Sequence, residues 1–161
     1  MGPAGPARRA LIAAAAAIWA GCGSLPVVRP PRDPLSAAEH LTLAGVYEAQ
    51  GLDREAKAQY QAALKRNPSD VHALMALGNA AFTAGELGRA ERYFKRALRF
   101  SPDNAGPANN LAMTWLKRDV KLAEAELLAR DALATAGPLE PYVQDTLAQI
   151  RRRRAQLEAR R

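Results

Sequence analysis

The stretch YQAALKRNPSD, Tyr60 to Asp70, returns almost unchanged thirty-four residues later as FKRALRFSPDN, Phe94 to Asn104. Laid out on Pro68 and Pro102, the two copies run from Ala37 to Asp70 and from Val71 to Asn104, and their residues pair in register. Leu43 pairs with Leu77, Ala44 with Gly78, Gly51 with Gly85, Ala56 with Ala90, Tyr60 with Phe94 and Ala63 with Ala97. A third copy over 105–138 keeps Leu111, Ala112, Ala125, Ala129 and Ala132, with one extra residue in the turn after Lys117 and another before Pro138. A unit of this length cannot bury its own apolar face, so stacking of like units is the fold such a chain can reach.

The spacing within each copy gives two helices. Small residues at 44, 78 and 112, opposite Ala56, Ala90 and Ala125, allow two helix backbones to approach. Tyr60 and Phe94 are large enough to fill the space between one pair and the next. Pro68 and Pro102 end a second helix because proline supplies no amide donor, and Asp70 and Asn104 are suited to cap the helix that follows. The composition agrees with an all-α chain: aromatics are 6% of the residues, and runs of alternating branched and aromatic residues are missing.

Period and residue types resemble the tetratricopeptide repeat (TPR), a 34-residue helix–turn–helix unit. The resemblance spans about Ala37 to Pro138 and implies a short right-handed α-solenoid of three repeats, 37–70, 71–104 and 105–138. His40, Leu74 and Ala108 stand where the family often has tryptophan. Residues 139–161 repeat the Leu-Ala pair of a first helix at Leu147 and Ala148, with Pro141 suited to its first turn and no second helix following. They are expected to form an Arg-rich helix capping the last apolar face.

The resemblance also implies a binding face lined by first helices. By register it places His72, Met75, Asn79 and Phe82 of repeat two there, with Asn109, Asn110, Met113, Leu116 and Lys117 of repeat three. Asn79 and Asn110 match a pair with which such proteins hold a peptide backbone, since an amide both donates and accepts. The lysine and arginine of the family's clamp for a C-terminal carboxylate are replaced by Met75, Tyr142 and Thr146. Met75, Phe82, Met113 and Leu116 would make an adaptable apolar floor; the alternative is that these four are core between repeats and the asparagines are solvated. A protein or peptide partner is expected on the first view.

The first 36 residues carry a different message. Arg8 and Arg9 precede an uncharged run from Ala10 to Cys22 that ends in small residues, the order of a secretory signal over 1–21. That run is shorter than the roughly 20 apolar residues of a membrane-spanning helix. Trp19-Ala20-Gly21-Cys22 resembles the bacterial lipobox, whose cysteine is acylated and becomes the new N-terminus. The resemblance implies a membrane anchor at Cys22, the chain's one cysteine, and Gly23 after it implies passage to the outer membrane, facing the periplasm. An ordinary signal followed by an idle thiol is the alternative. Four prolines in the twelve residues Gly23 to Pro34 read as an extended tether within 22–36, with a reach of roughly 37 Å.

Net charge is +7, but arginines crowd both ends and the middle is nearer neutral, so nucleic acid is not an expected partner. The run Arg151 to Arg154 would point in several directions around a helix. A solvated cap is its expected state, and docking on anionic lipid or polymer is the rival reading of the protein's work. His40 and His72 lack metal-ligand spacing, and no nucleophile elbow or phosphate loop appears, so neither an enzyme nor a cofactor is implied. A homodimer could form at the array's N-terminal end, because nothing before Ala37 reads as a cap.

Overall fold

A computed structural model describes residues 33–160. The expected secretory signal, Cys22 and most of the expected tether lie outside them. Among the described residues there are helices and no strands, and no helix is long and apolar enough to cross a membrane.

Three antiparallel pairs follow one another: α1 (Ala37–Ala49) with α2 (Asp53–Arg66), α3 (Val71–Thr83) with α4 (Leu87–Phe100), and α5 (Ala105–Lys117) with α6 (Leu122–Ala132). Two 3₁₀ turns, Leu133–Thr135 and Gly137–Leu139, lead to α7 (Glu140–Glu158). Each second helix packs on the next first helix, and α7 packs on both α5 and α6. The result is the all-α arrangement of three repeats and a C-terminal helix that the period implied.

Local chemistry fixes the helix ends. Ser36 opens α1 with a capping box: its hydroxyl accepts from the Glu39 amide at 3.3 Å, and its own amide donates to Glu39 Oε2 at 2.7 Å. Asp70 Oδ1 accepts from the Ala73 amide at 2.8 Å and Asn104 Oδ1 from the Gly106 amide at 3.0 Å, so both residues cap as their position suggested. α2 and α4 stop two residues before Pro68 and Pro102.

The turn inside each repeat closes in the same way. Leu52, Glu86 and Val120 donate back to the carbonyls of Tyr47, Ala81 and Trp115 at 2.9, 2.8 and 3.0 Å. This geometry needs a left-handed residue just before the donor. Gly51 (φ +70°) and Gly85 (φ +75°) supply it without strain, and Asp119 (φ 56°) takes that place in repeat three. The extra residue of this longer turn, Lys121, is left-handed as well (φ 52°). Repeat three differs again at its close. α6 ends at Ala132, so Pro138 lies inside the second 3₁₀ turn and does not terminate the helix as Pro68 and Pro102 do.

The core follows the repeat register. Ala44, Ala90, Ala112 and Ala125 are fully buried, with Tyr60 and Phe94 nearly so. His40, Leu74 and Ala108, at the place of the family's tryptophan, are buried too; His40 Nδ1 lies 2.7 Å from Gln59 Oε1. Ala129 faces the core where an aromatic stood in the earlier repeats, and Ile150 and Leu147 of α7 join Leu111 and Trp115 around it.

The arginines of α7 are more engaged than a solvated run. Arg153 makes a two-pronged bond to Asp119 at 2.8 and 2.5 Å, and Arg151 reaches Glu126 at 2.9 Å. Arg154 also pairs with Glu126. Sequence reasoning missed this because the partners lie 25 or more residues away. The Arg153 hydrogen bond holds the Asp119 carboxyl below its ordinary range, and the Arg151 bond does so for Glu126, helped by Arg154 against some burial. Both carboxyls therefore bind fewer protons folded than unfolded, so their stabilisation is present above the unfolded pKa and lost as pH falls through the folded one. The urea midpoint should drop between pH 7 and about pH 3, and the drop should shrink in an Asp119→Asn/Glu126→Gln chain.

Candidate functional site

Two clefts open along the first helices and share Asn79 and Thr83. The larger, about 550 Å³, lies between repeats one and two. Ala76, Leu77 and Ala80 of α3, with Ala84 capping its C-terminus, form one wall, while Glu48 of α1 and Asp53, Arg54 and Lys57 of α2, beside Tyr60, bring charges of both signs. The smaller, about 190 Å³, lies between repeats two and three, lined by Asn79, Phe82, Thr83, Phe94, Asn109, Asn110 and Met113.

At their junction Asn110 Nδ2 donates to Asn79 Oδ1 at 2.9 Å. The asparagines expected to meet a peptide backbone thus hold each other in place. Asn79 keeps its amide donors and Asn110 its carbonyl, so the pair still offers both halves of a peptide's hydrogen-bonding pattern. Asn109 lines the same cleft, and its Oδ1 is buried without a hydrogen-bond partner.

The remaining sequence candidates divide. Phe82 and Met113 line the smaller cleft, and Lys117 Nζ sits 4.6 Å from the Phe82 ring centroid, a cation held over an aromatic face at the rim. Met75 and Leu116 are half-buried against the core, as is part of Phe82. Their side chains support the walls as well as any groove floor. His72 packs edge-on against Tyr60, with ring centroids 5.6 Å apart.

Tyr60 itself links core to cleft. Its hydroxyl donates to Glu48 Oε2 at 2.7 Å, and burial, with Glu48 beside it, pushes the phenol up to about 12. The wall residues from second helices, namely Asp53, Arg54, Lys57 and Phe94, were not expected. A register rule that places first helices on the binding face gives them no signal. Phe94 announced itself only as a space-filler, and it stays one: the ring is buried behind the smaller cleft.

Three comparisons bear on this arrangement. A family model for the tetratricopeptide repeat matches residues 41–105. The human tetratricopeptide repeat protein 6 is 36% identical over 80 residues, which is 49% of this chain. The chain spans only 15% of that protein's length. Among solved structures, the first TPR of Spaghetti (RPAP3) bound to the HSP90 peptide SRMEEVD aligns with a TM-score of 0.65 at 18% identity, covering 74% of this chain and 95% of that one. The TPR2B domain of yeast Sti1, in complex with pHsp70, gives 0.63 at 14% identity, over 72% and 96%. At such identities the structural likeness speaks to fold, while the family match speaks to residues 41–105. Together with the observed helix pairs, they show that the described residues have the all-α fold of a tetratricopeptide-repeat array.

Proposed function

We propose that the protein is a lipid-anchored scaffold that takes an extended segment of a protein or peptide partner along the two clefts, within an envelope assembly of pilus or secretion type. One observation carries the binding half of this reading: the Asn79–Asn110 pair stands where the clefts meet, oriented by its own hydrogen bond and with donors and an acceptor to spare. Two of the structural relatives are described in complex with peptides or partners of the Hsp90 and Hsp70 type, which is consistent with a groove of this construction. The anchor half rests on the sequence around Cys22 and on nothing in the described residues.

Each half has its own test. Removing the Asn79 side chain should weaken capture of the partner from solubilised envelopes about tenfold, the worth of roughly one hydrogen-bonded amide; capture unaffected by Asn79→Ala would sink the groove. Intact-mass measurement of the mature chain should show acyl additions on Cys22 that vanish with Cys22→Ala. An equal mass difference of only the side-chain atoms would remove the anchor. The rival reading, docking through Arg151 to Arg154, is disfavoured because Arg151, Arg153 and Arg154 are already paired with Glu126 and Asp119.

A further inference from the structure

We infer that the groove carries a third subsite, an apolar patch formed by Met75, Gly106, Leu139 and Tyr142, which takes one uncharged apolar side chain from the partner's segment. This rests on the groove reading above and adds to it a requirement on the partner's sequence.

Helical spacing joins the patch to the clefts. Met75 stands four places before Asn79 on α3, and Gly106 three and four places before Asn109 and Asn110 on α5. Each is on the same helix face as those asparagines, about one turn or 5 Å nearer the N-terminus. A Cβ at Gly106 would have Met75 Cε at 3.7 Å and Leu139 Cδ1 at 3.8 Å, so two apolar side chains converge on one bare stretch of α5. Tyr142 follows Leu139 by three places, at the start of α7. It stands in register with Gly106, since each precedes the leucine of its Leu-Ala pair, Leu111 or Leu147, by five residues. The patch therefore carries the path of the smaller cleft on from repeat three to α7.

Exposure marks it as unfilled. Val143, Leu147 and Ile150 bury the packed face of α7, whereas Tyr142 is 67% exposed and Leu139 41%. An apolar side chain laid across Leu139, the Met75 methyl and the Tyr142 ring would remove all of them from water together. Tyrosine suits such a place, with a large apolar body and a polar tip that tolerates solvent when the site is empty.

Charge narrows the occupant. α3 carries no lysine, arginine or carboxylate, and Lys117 of α5 lies eleven residues beyond Gly106, about 16 Å along the axis. From Leu133 to Ile150 the charged residues are Glu140 and Asp145, both acidic. A carboxylate on the patch would lose hydration beside acids, with no cation on these elements to compensate. Leucine, isoleucine, methionine or phenylalanine meets the surface without that loss.

The test is selection of a phage-displayed dodecapeptide library on the full chain, run in parallel on wild type, Tyr142→Ala and Asn79→Ala. Peptides enriched on wild type should share one of those four residues at a fixed position. Replacing it by alanine in the synthetic winner should weaken binding to wild type about tenfold. On Tyr142→Ala the winner should lose about as much, and the alanine peptide should bind as it does to wild type, because side chain and subsite form one interaction. An exposed tyrosine is removed without cost to the fold, which thermal melting checks. A winner that ignores Tyr142→Ala but weakens on Asn79→Ala would overturn the inference and leave the groove standing. Lysine or arginine at the shared position, drawn by Glu140 and Asp145, would do the same. Enrichment on wild type no greater than on Asn79→Ala would overturn the groove reading, and this inference with it.

Discussion

Replacing Phe94 by alanine is expected to destabilise the fold by about 3 to 5 kcal/mol, the usual cost of emptying a buried aromatic site. The ring is 1% exposed and sits in the cluster that joins repeats two and three. Its placement is also what makes position 78 a glycine. A Cβ built there would stand 2.4 Å from Phe94 Cε1 and 2.8 Å from Cδ1, closer than any real contact. Gly78→Ala alone should therefore cost about 1 to 3 kcal/mol by overpacking.

Repeat three suggests how the two sites are coupled. There Ala112 stands in register with Gly78, and Ala129 with Phe94; both are fully buried. In repeat one Ala44 coexists with Tyr60, whose hydroxyl is tied to Glu48. A Gly78→Ala/Phe94→Ala chain would copy the repeat-three pair. Its loss, read from urea unfolding, should be smaller than the sum of the single losses, because the added methyl no longer meets a ring. Additive losses would mean that the glycine answers to something other than Phe94.

Ile150→Ala should have the second largest effect, about 2 to 5 kcal/mol. Ile150 is fully buried in the cluster with Leu111, Trp115 and Ala129. The arginine pairs draw the eye on α7, yet Glu126→Gln, which disables two of them, should cost less than about 1 kcal/mol. Those pairs are half-exposed, with Arg151 and Arg154 side chains 57% and 39% accessible. The apolar face docks α7, and the arginines set its register on α6 and on the Asp119 turn. Hydrogen exchange should show α7 losing protection in Ile150→Ala while α1 and α2 keep theirs. The reverse ranking, with Glu126→Gln the more damaging, would make the helix an electrostatic attachment.

The repeat frame was readable because its constraints are local and recur. Proline at 68 and 102, a cap at 70 and 104, and small residues facing small residues each act within one helix pair. Repeat three was harder. Asp119 does the work of Gly51 and Gly85 in the left-handed position, an exchange that only the backbone angle reveals. The arginine run illustrates the other limit. Rotation around a helix predicts scatter, and scatter is what the backbone gives, but long side chains converge again on two acidic residues of the preceding repeat. At the candidate site, register put Asn79, Phe82, Asn109, Asn110 and Met113 on one face, and the structure brings them around one cleft. That the asparagines bond each other, and that Asn109 keeps an unmet oxygen, depends on ångström-scale placement no pattern encodes.

The most direct test of the groove is a photo-reactive residue placed at position 113, on the wall of the smaller cleft, and activated in intact cells that make the protein. The account predicts a discrete crosslinked species that weakens when Asn79→Ala is introduced into the same chain and persists when Glu126→Gln is introduced instead. A folded chain that yields no such species, or one indifferent to Asn79, would contradict it.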